Sequence, residues 1–161
     1  MNLTIRMAYS EDWEDAIGVA WKTFLEFEGN EYPEVGVTHF KDFLTDRMLY
    51  KMFLKGEYQM FVALDDSAQT HGRSRLIGLI SLRNITHISL LFVDKEYHRR
   101  GVGRKLIETA QNYLLSELNK DRMTVNAAPY AVDFYHKLGF HDTGSEQMQD
   151  GIVFTPMELY L

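Results

Sequence analysis

The chain has 161 residues, of which 45% are hydrophobic and 25% are charged, with no cysteine and a formal net charge of −6. This length and composition predict one compact domain with a buried core and exclude a disordered chain. The absence of cysteine excludes disulfides, thiolate metal sites and a cysteine nucleophile. The acidic balance argues against broad nucleic-acid binding. Because there is neither a membrane-length apolar run nor a secretory signal, we expect a soluble cytoplasmic protein without a membrane partner.

The first part of the chain predicts a strand followed by two helices. Alternating apolar residues begin the sequence, as in a strand with one buried face. Acidic residues then follow Ser10, as they do in the first turn of a helix, and apolar residues recur at helical spacing. The predicted elements are a strand at Leu3–Tyr9, a helix capped by Ser10 and ending near Glu28, a loop at Gly29–Gly36, and a helix capped by Thr38 that reaches Phe53.

The rest of the chain predicts strands interrupted by two helices. The predicted strands are Tyr58–Leu64, Leu76–Arg83, Ile85–Val93, Met123–Ala127, one near Asp142–Met148, and Ile152–Leu159; the helices are Val102–Leu118 and Ala131–Leu138. The resulting order, β-α-α-β-β-β-α-β-α-β-β, combines a meander with strand–helix–strand connections. It predicts an α/β fold in which helices flank a central, mixed, mostly antiparallel twisted sheet.

Basic residues surround two glycines in the segment HRRGVGRK, where the strand ending at Val93 is followed by the helix beginning at Val102. Unpaired N–H groups and the positive end of the macrodipole favour an anion at the start of a helix. Glycine there lets a phosphate approach the backbone. Neither the P-loop nor the three-glycine dinucleotide pattern is present. The segment indicates a phosphate-binding turn, the alternative being an ordinary helix start with solvated cations.

Two segments together resemble the GNAT N-acetyltransferase family. FVDKEYHRRGVGRKLI is similar to its acyl-CoA-binding motif, Q/R-x-x-G-x-G/A, with His98 where the family prefers Gln or Arg. VNAAPYAVDFYHKLGF is similar to its later segment, in which Asn126 on a strand precedes a helix ending in F-Y-x-x-x-G-F. The resemblance fits the predicted element order and implies a single acetyltransferase domain over residues 1–161. The helices before Tyr58 contribute little to it.

The resemblance also implies that acetyl-CoA is the cosubstrate and lies between two splayed strands, Ile85–Val93 and Met123–Ala127. Backbone groups of Phe92 and Val93 would pair with the pantetheine arm as a missing strand would. An N–H group near Leu91 or Phe92 would polarise the thioester carbonyl and stabilise its oxyanion. The alternative for these strand residues is simple packing in the core.

Further donor-binding residues follow from the same two motifs. Asn126 would hydrogen-bond the pantetheine amides, or would satisfy the loop that follows its strand. Lys137 would approach a phosphate, or would be a solvated helix residue. The complete predicted donor-binding set is Leu91, Phe92, Val93, His98, Arg99, Arg100, Gly101, Val102, Gly103, Arg104, Asn126 and Lys137.

Tyr135 is the predicted general acid, because it matches the family tyrosine that protonates the departing thiolate; its alternative is aromatic packing beside Phe134. The predicted general base is His87, which shares a strand face with Ser89 and has a suitable reference pKa. A structural or exposed histidine is the alternative. Acidic candidates for the acceptor pocket are Glu26, Glu28, Glu31 and Glu34, each of which also fits a solvated surface, and Tyr32 is a further lining candidate.

The sequence therefore predicts an N-acetyltransferase that moves an acetyl group from acetyl-CoA to a primary amine by direct attack in a ternary complex. A covalent intermediate is not expected, because no nucleophile constellation is present. No metal is expected either, since the histidines lack ligand spacing. The alternative is a non-catalytic CoA-binding or regulatory module on the same fold. A small-molecule or peptide amine is the expected partner, and the sequence indicates no oligomeric state.

Overall fold

A computed structural model describes all residues, 1–161. The strands are β1 (Leu3–Met7), β2 (Gln59–Thr70), β3 (Arg73–Arg83), β4 (His87–Val93), β5 (Arg122–Ala127), β6 (His141–Asp142), β7 (Gln147–Gln149) and β8 (Ile152–Tyr160). The helices are α1 (Trp13–Phe27), α2 (Glu34–Leu44), α3 (Arg47–Leu54), α4 (Val102–Ser116) and α5 (Val132–Lys137). Short 3-10 turns precede α1 and α5 and follow β4.

The strands form one sheet in the order β1-β2-β3-β4-β5-β8-β6, with β7 also paired to β8. Every neighbouring pair is antiparallel except β4 and β5. The parallel pair is possible because α4 crosses from the end of β4 to the start of β5, as parallel strands require. The predicted mixed, mostly antiparallel sheet with flanking helices is confirmed.

Separate hydrophobic cores lie on the two faces of the sheet. On one face, Leu106, Ile107, Ala110 and Leu114 of α4 pack with strand residues, and each is 1% exposed or less. The other face carries α1, α2 and α3, whose buried residues include Ala16, Ala20, Phe24, Leu44 and Leu49. The sheet strands are thus covered on both sides, as in other layered α/β domains.

Several predicted boundaries are wrong. The helix predicted from Thr38 to Phe53 is two helices, because the carboxylate of Asp46 accepts a hydrogen bond from the Met48 N–H at 2.8 Å and caps α3. Thr38 lies inside α2, which begins directly after Pro33. Ser10 caps nothing: Asp12 accepts the Tyr9 N–H at 2.6 Å instead.

Two predicted strand regions also differ in extent. β2 and β3 extend through most of the turn predicted at Asp65–Ser74, which leaves only His71 and Gly72 between them. The strand predicted near Asp142–Met148 is two short strands, β6 and β7, both of which pair with β8. No helix is long and apolar enough to cross a membrane.

Candidate active site

The parallel strands β4 and β5 separate shortly after they meet. They pair only at His87↔Thr124 and Ile88↔Val125. Beyond these positions, Ser89 is an extra residue in β4, since Leu82 faces Ile88 and Ser81 faces Leu90. Such a bulge bends its strand and increases the local twist. The result is a V-shaped gap in the middle of the sheet, open toward the ends of β4 and β5.

The backbone groups that face this gap belong to Leu91 and Val93. The N–H of Asp94 donates to the Ile77 carbonyl at 2.7 Å, so these two residues are a hydrogen-bonded pair between β3 and β4. In an antiparallel ladder bonded pairs alternate with non-bonded pairs, and the register from Gly78↔Val93 to Ile80↔Leu91 is regular. The backbone of Phe92 therefore bonds to β3, whereas the N–H and C=O groups of Leu91 and Val93 point into the gap.

The Phe92 backbone, which was predicted to pair with pantetheine, thus faces β3 rather than the gap. Its side chain is 8% exposed and lines the cavity wall, with its ring 5.8 Å from that of Phe40. On the opposite side of the gap, the Thr124 N–H donates to the Thr86 carbonyl at 3.0 Å, toward β4. Strand alternation turns the backbone of Asn126 the same way, and its register partner on β8 is Pro156, which has no N–H to donate.

The predicted phosphate-binding turn has a run of unpaired backbone donors. From Arg99 to Arg104, no N–H group donates to a backbone or side-chain acceptor, and the first such bond is from Lys105 to Gly101 at 3.1 Å. Positive φ values of 63° at Arg99 and 78° at Gly101 bend this segment. A side-chain carbon at Gly101 would meet nothing within 4 Å. These successive donors at the start of a helix fit a pyrophosphate.

The side chains of the turn differ in what they can contact. Arg99, Arg100 and Arg104 are exposed and form no salt bridge within the chain, so their charges are available to an anion. Val102 is 1% exposed and packs in the core, which leaves only its N–H for a ligand. A side-chain carbon at Gly103 would approach the Phe134 ring at 3.3 Å, so this glycine also permits helix packing. Lys137 is exposed at the end of α5.

His98 turns its side chain onto the protein's own backbone. Its Nε2 lies 2.6 Å from the Val93 carbonyl oxygen and, facing an acceptor, must donate. Its ring stacks on Phe27 at a centroid distance of 5.0 Å, and Phe27 stacks on Tyr130 at 5.9 Å. This three-ring stack connects the end of α1 with the turn before α5. His98 thus contacts the Val93 carbonyl, which was predicted to bind the pantetheine arm of acetyl-CoA. The sequence does not reveal this contact.

A cavity of about 380 Å³ extends from the gap to the region beneath α1 and α2. Leu91, Asn126 and Tyr135 line it near the gap; Glu28, Tyr32 and Phe40 line its far end. Tyr135 is 4% exposed, and burial, followed by the nearby charges, raises the pKa of its phenol. Its hydroxyl has no hydrogen bond within the chain, yet no buried side-chain polar atom is left without a partner. The hydroxyl therefore opens into the cavity and carries its proton at neutral pH.

His87 and Ser89 also line the cavity, as predicted from their shared strand face. The Nδ1 of His87 lies 2.8 Å from the Thr124 hydroxyl. Burial and the charge of Arg83 lower the pKa of His87, which favours the neutral ring. Ser89 accepts a hydrogen bond from the buried Tyr58 hydroxyl at 2.9 Å.

Of the four glutamates proposed for the acceptor pocket, only Glu28 enters it. Glu26, Glu31 and Glu34 are exposed and outside the cavity, whereas Glu28 is 6% exposed and lines it. Burial raises the pKa of Glu28 from 4.5 to about 7, against the opposing effect of the Tyr32 hydroxyl that hydrogen-bonds it. The sequence places the four carboxylates in one short segment, and only the packing of that segment separates Glu28 from the rest.

Comparison with known proteins identifies the family of the chain. A profile of the acetyltransferase (GNAT) domain family matches residues 28–161. The chain is 29% identical to the peptidyl-lysine N-acetyltransferase YjaB of Escherichia coli, over 93% of this chain and 90% of that protein. It is 32% identical over 81 residues to the uncharacterized N-acetyltransferase YitH of Bacillus subtilis, which is 50% of this chain but only 27% of that protein.

The fold recurs in a solved structure, that of the PaiA N-acetyltransferase of Thermoplasma acidophilum in complex with coenzyme A. Its TM-score is 0.78 at 21% identity, with all of both chains covered. The protein described here belongs to the GNAT acetyltransferase family. The family resemblance, the fold class and the acyltransferase class predicted from the sequence are thereby confirmed.

Proposed function

We propose that the whole chain, residues 1–161, works as one domain that transfers an acetyl group from acetyl-CoA to a primary amine. The observation that carries this proposal is the gap between β4 and β5, which joins the unpaired N–H groups at Arg99–Arg104 to a cavity ending at a buried carboxylate. A long, thin, anionic donor fits the first part, and a cationic acceptor fits the second. YjaB, named a peptidyl-lysine N-acetyltransferase, supports an amine acceptor.

Acetyl-CoA supplies the acetyl group as a thioester. We assign the binding of its pyrophosphate to the turn at Arg99–Arg104, with Arg99, Arg100 and Arg104 adding charge. The backbone of Leu91, Val93 and Asn126 aligns the pantetheine arm as a third strand would. The Leu91 N–H is then the donor that faces the developing oxyanion. Lys137, exposed at the end of α5, is a further candidate to contact a phosphate.

Direct attack in a ternary complex follows from the open connection between the two parts of the cavity. The amine nitrogen bonds to the acetyl carbon, the C–S bond breaks, and Tyr135 gives its proton to the sulfur. Holding both reactants in one cavity supplies much of the acceleration. The absence of cysteine is compatible with the reducing cytoplasm, where we propose that the enzyme works.

The test is an acetyl-transfer assay over a panel of primary amines, reading free thiol and subtracting hydrolysis without amine. We expect amine-dependent thiol release and an acetylated product detected by mass spectrometry. Tight coenzyme A binding with no turnover of any amine would contradict transfer and would favour a non-catalytic CoA-binding module. DNA or RNA binding that coenzyme A does not compete with would instead contradict the assignment of the basic turn.

A further inference from the structure

We propose that Glu28 binds the ammonium group of the acceptor and takes its proton, and that the acceptor carries a single charge on an apolar stem or ring. This rests on the proposed function, because it names the base and the substrate class of that same cavity. It differs from the sequence prediction, in which His87 is the base.

One oxygen of Glu28 is held by the protein and the other is free. Oε1 accepts a hydrogen bond from the Tyr32 hydroxyl at 3.1 Å. Oε2 has no hydrogen bond within the chain, and no buried side-chain polar atom lacks a partner, so Oε2 opens into the cavity. The carboxylate is therefore oriented by one oxygen and presents the other to a ligand, as a general base must.

The negative charge of Glu28 has no counter-ion within the chain. Glu28 takes part in no salt bridge, although it is 6% exposed. A buried charge is strongly disfavoured unless it is paired. An ammonium group from a ligand supplies the missing pair, and transfer of its proton then neutralises both partners.

The hydrogen-bond partner of Glu28 is suited to both of its charge states. The Tyr32 hydroxyl lies 3.1 Å from Glu28 Oε1 and 3.2 Å from the Val153 carbonyl. When Glu28 is ionised, the hydroxyl donates to it. When Glu28 is protonated, the hydroxyl donates to Val153 and accepts from the acid. Proton uptake thus requires a hydroxyl rotation and leaves no polar group unpaired.

The walls around Glu28 define the rest of the acceptor. They are largely aromatic, with Phe24 and Phe40 stacked at 4.2 Å, and Phe24 and Tyr32 stacked at 5.8 Å. The only other carboxylate lining the cavity is Asp150, which is exposed and lies 3.8 Å from His39. A second ammonium would therefore find no carboxylate other than one that His39 already faces. One charge on an apolar body fits.

The reaction balances with this assignment. The ammonium gives one proton to Glu28, and the neutral nitrogen bonds to the acetyl carbon. The C–S bond breaks, and the sulfur takes the proton of Tyr135. The second nitrogen proton then leaves the new amide and restores Tyr135, while Glu28 returns its proton to solvent. The products are the amide, the free thiol and one net proton.

The pH dependence of transfer distinguishes this base from its neighbours. The titratable groups around Glu28 are Glu31, Tyr32, His39, Tyr130, Tyr135 and Asp150. His87 and Arg83 line the cavity from β4 and β3. With Glu28 as the base, kcat/KM rises through the pKa of Glu28, about 7, and stays level until the amine itself loses its proton.

The first test compares pH profiles of kcat/KM with 2-phenylethylamine as the acceptor. Glu28→Gln should lower kcat/KM about 100-fold at pH 7, and the remaining activity should rise about tenfold per pH unit toward the pKa of the amine. Glu28→Asp, which keeps the carboxylate, should restore a rise near neutral pH. Tyr32→Phe removes the hydroxyl that lowers the pKa of Glu28, so the rise should move to higher pH.

Control variants test whether another group, rather than Glu28, causes the rise of kcat/KM near pH 7. Glu26→Gln removes an exposed carboxylate in α1, two residues before Glu28, and should leave the profile unchanged. His39→Gln and His87→Gln should keep the rise near pH 7. An unchanged profile in Glu28→Gln, or loss of the rise in His87→Gln alone, overturns the assignment. Wild-type enzyme that acetylates no amine would overturn the proposed function instead.

The second test addresses the acceptor class. We compare wild-type kcat/KM for 2-phenylethylamine, for the lysine side chain in Nα-acetyl-lysine methylamide, and for spermidine. The first two each carry one ammonium group on an apolar stem or ring. Comparing them shows whether the enzyme prefers a free amine or the lysine side chain of a peptide. We expect the better of them to exceed spermidine at least tenfold. A preference for spermidine overturns the single-charge assignment, even where Glu28 is the base.

Discussion

Backbone groups form one end of the cavity, and side chains form the other. The end proposed to bind acetyl-CoA consists of backbone: the N–H groups at Arg99–Arg104 that lack a hydrogen-bond partner and the groups of Leu91 and Val93 that face the gap. The end proposed to bind the amine consists of side chains from separate elements, chiefly Glu28 and Tyr32 beside α1 and Phe40 from α2. Backbone donors depend on local geometry and tolerate many side chains. A buried carboxylate depends on everything packed around it.

The largest expected effect is on the pH dependence of stability, and it arises at Glu28, in the end of the cavity proposed to bind the amine. The pKa of Glu28 is raised from 4.5 to about 7 in the folded protein. Ionisation there disfavours the fold, so stability is lost as pH rises from 4.5 through 7. Glu28→Gln should stabilise the protein at pH 8 by about 3 kcal/mol, since each pKa unit corresponds to about 1.4 kcal/mol.

Denaturant unfolding at pH 4.5 and pH 8 measures this difference. The gain over wild type should be near zero at the lower pH and full at the higher one. Glu26→Gln, an exposed carboxylate of α1, should show neither change. An equal gain at both pH values would mean that the substitution acts through packing rather than through ionisation.

The next largest effect is expected for Tyr135, between the two ends of the cavity. Tyr135→Phe removes the hydroxyl that opens into the cavity and should lower kcat about 100-fold, because a positioned acid contributes at least that much. The dissociation constant of coenzyme A, measured by calorimetry, should stay within a factor of three. Tyr113→Phe is the control, since that ring packs on Phe61 at 5.4 Å, away from the cavity. Full turnover in Tyr135→Phe would remove it as the acid.

A third substitution tests the backbone end alone. Gly101→Ala adds a methyl group to the turn that carries the unpaired N–H groups and should weaken coenzyme A binding about tenfold, or about 1.4 kcal/mol. Gly56→Ala is closely matched, because both glycines have φ of 78° and open space beside them. Both variants should lose about 1–2 kcal/mol of stability from the left-handed backbone. Equal coenzyme A affinities in the two variants would contradict the phosphate-binding turn.

The smallest expected effect is that of His98→Ala on coenzyme A affinity, and its direction distinguishes two roles for this histidine. The His98 ring donates to the Val93 carbonyl that faces the gap, at 2.6 Å. We expect His98→Ala to free this carbonyl and strengthen coenzyme A binding about threefold, within the range of one hydrogen bond. His98→Gln restores a residue that the family prefers. Weaker binding in the alanine variant would instead assign His98 to direct contact with the donor.

The sequence predicts the turn that carries the unpaired N–H groups because its signals are contiguous. A strand, two glycines and a helix start form one segment, and the unpaired donors follow from that local geometry. The acceptor end is not predictable in this way. Four glutamates between positions 26 and 34 look alike in the sequence, and only the contacts of Tyr32 with Glu28 and Val153 show which one is buried. The Ser89 bulge and the cap at Asp46 are likewise set by tertiary pairing and short-range bonding.

The gap between β4 and β5 creates a strand edge within the sheet. It divides the sheet into two half-sheets that are joined only at His87↔Thr124, Ile88↔Val125 and the adjoining Thr86 carbonyl. The facing rims of the two halves therefore form a strand edge inside the domain rather than at its border. A molecule that hydrogen-bonds to both rims would join the two halves into one continuous sheet.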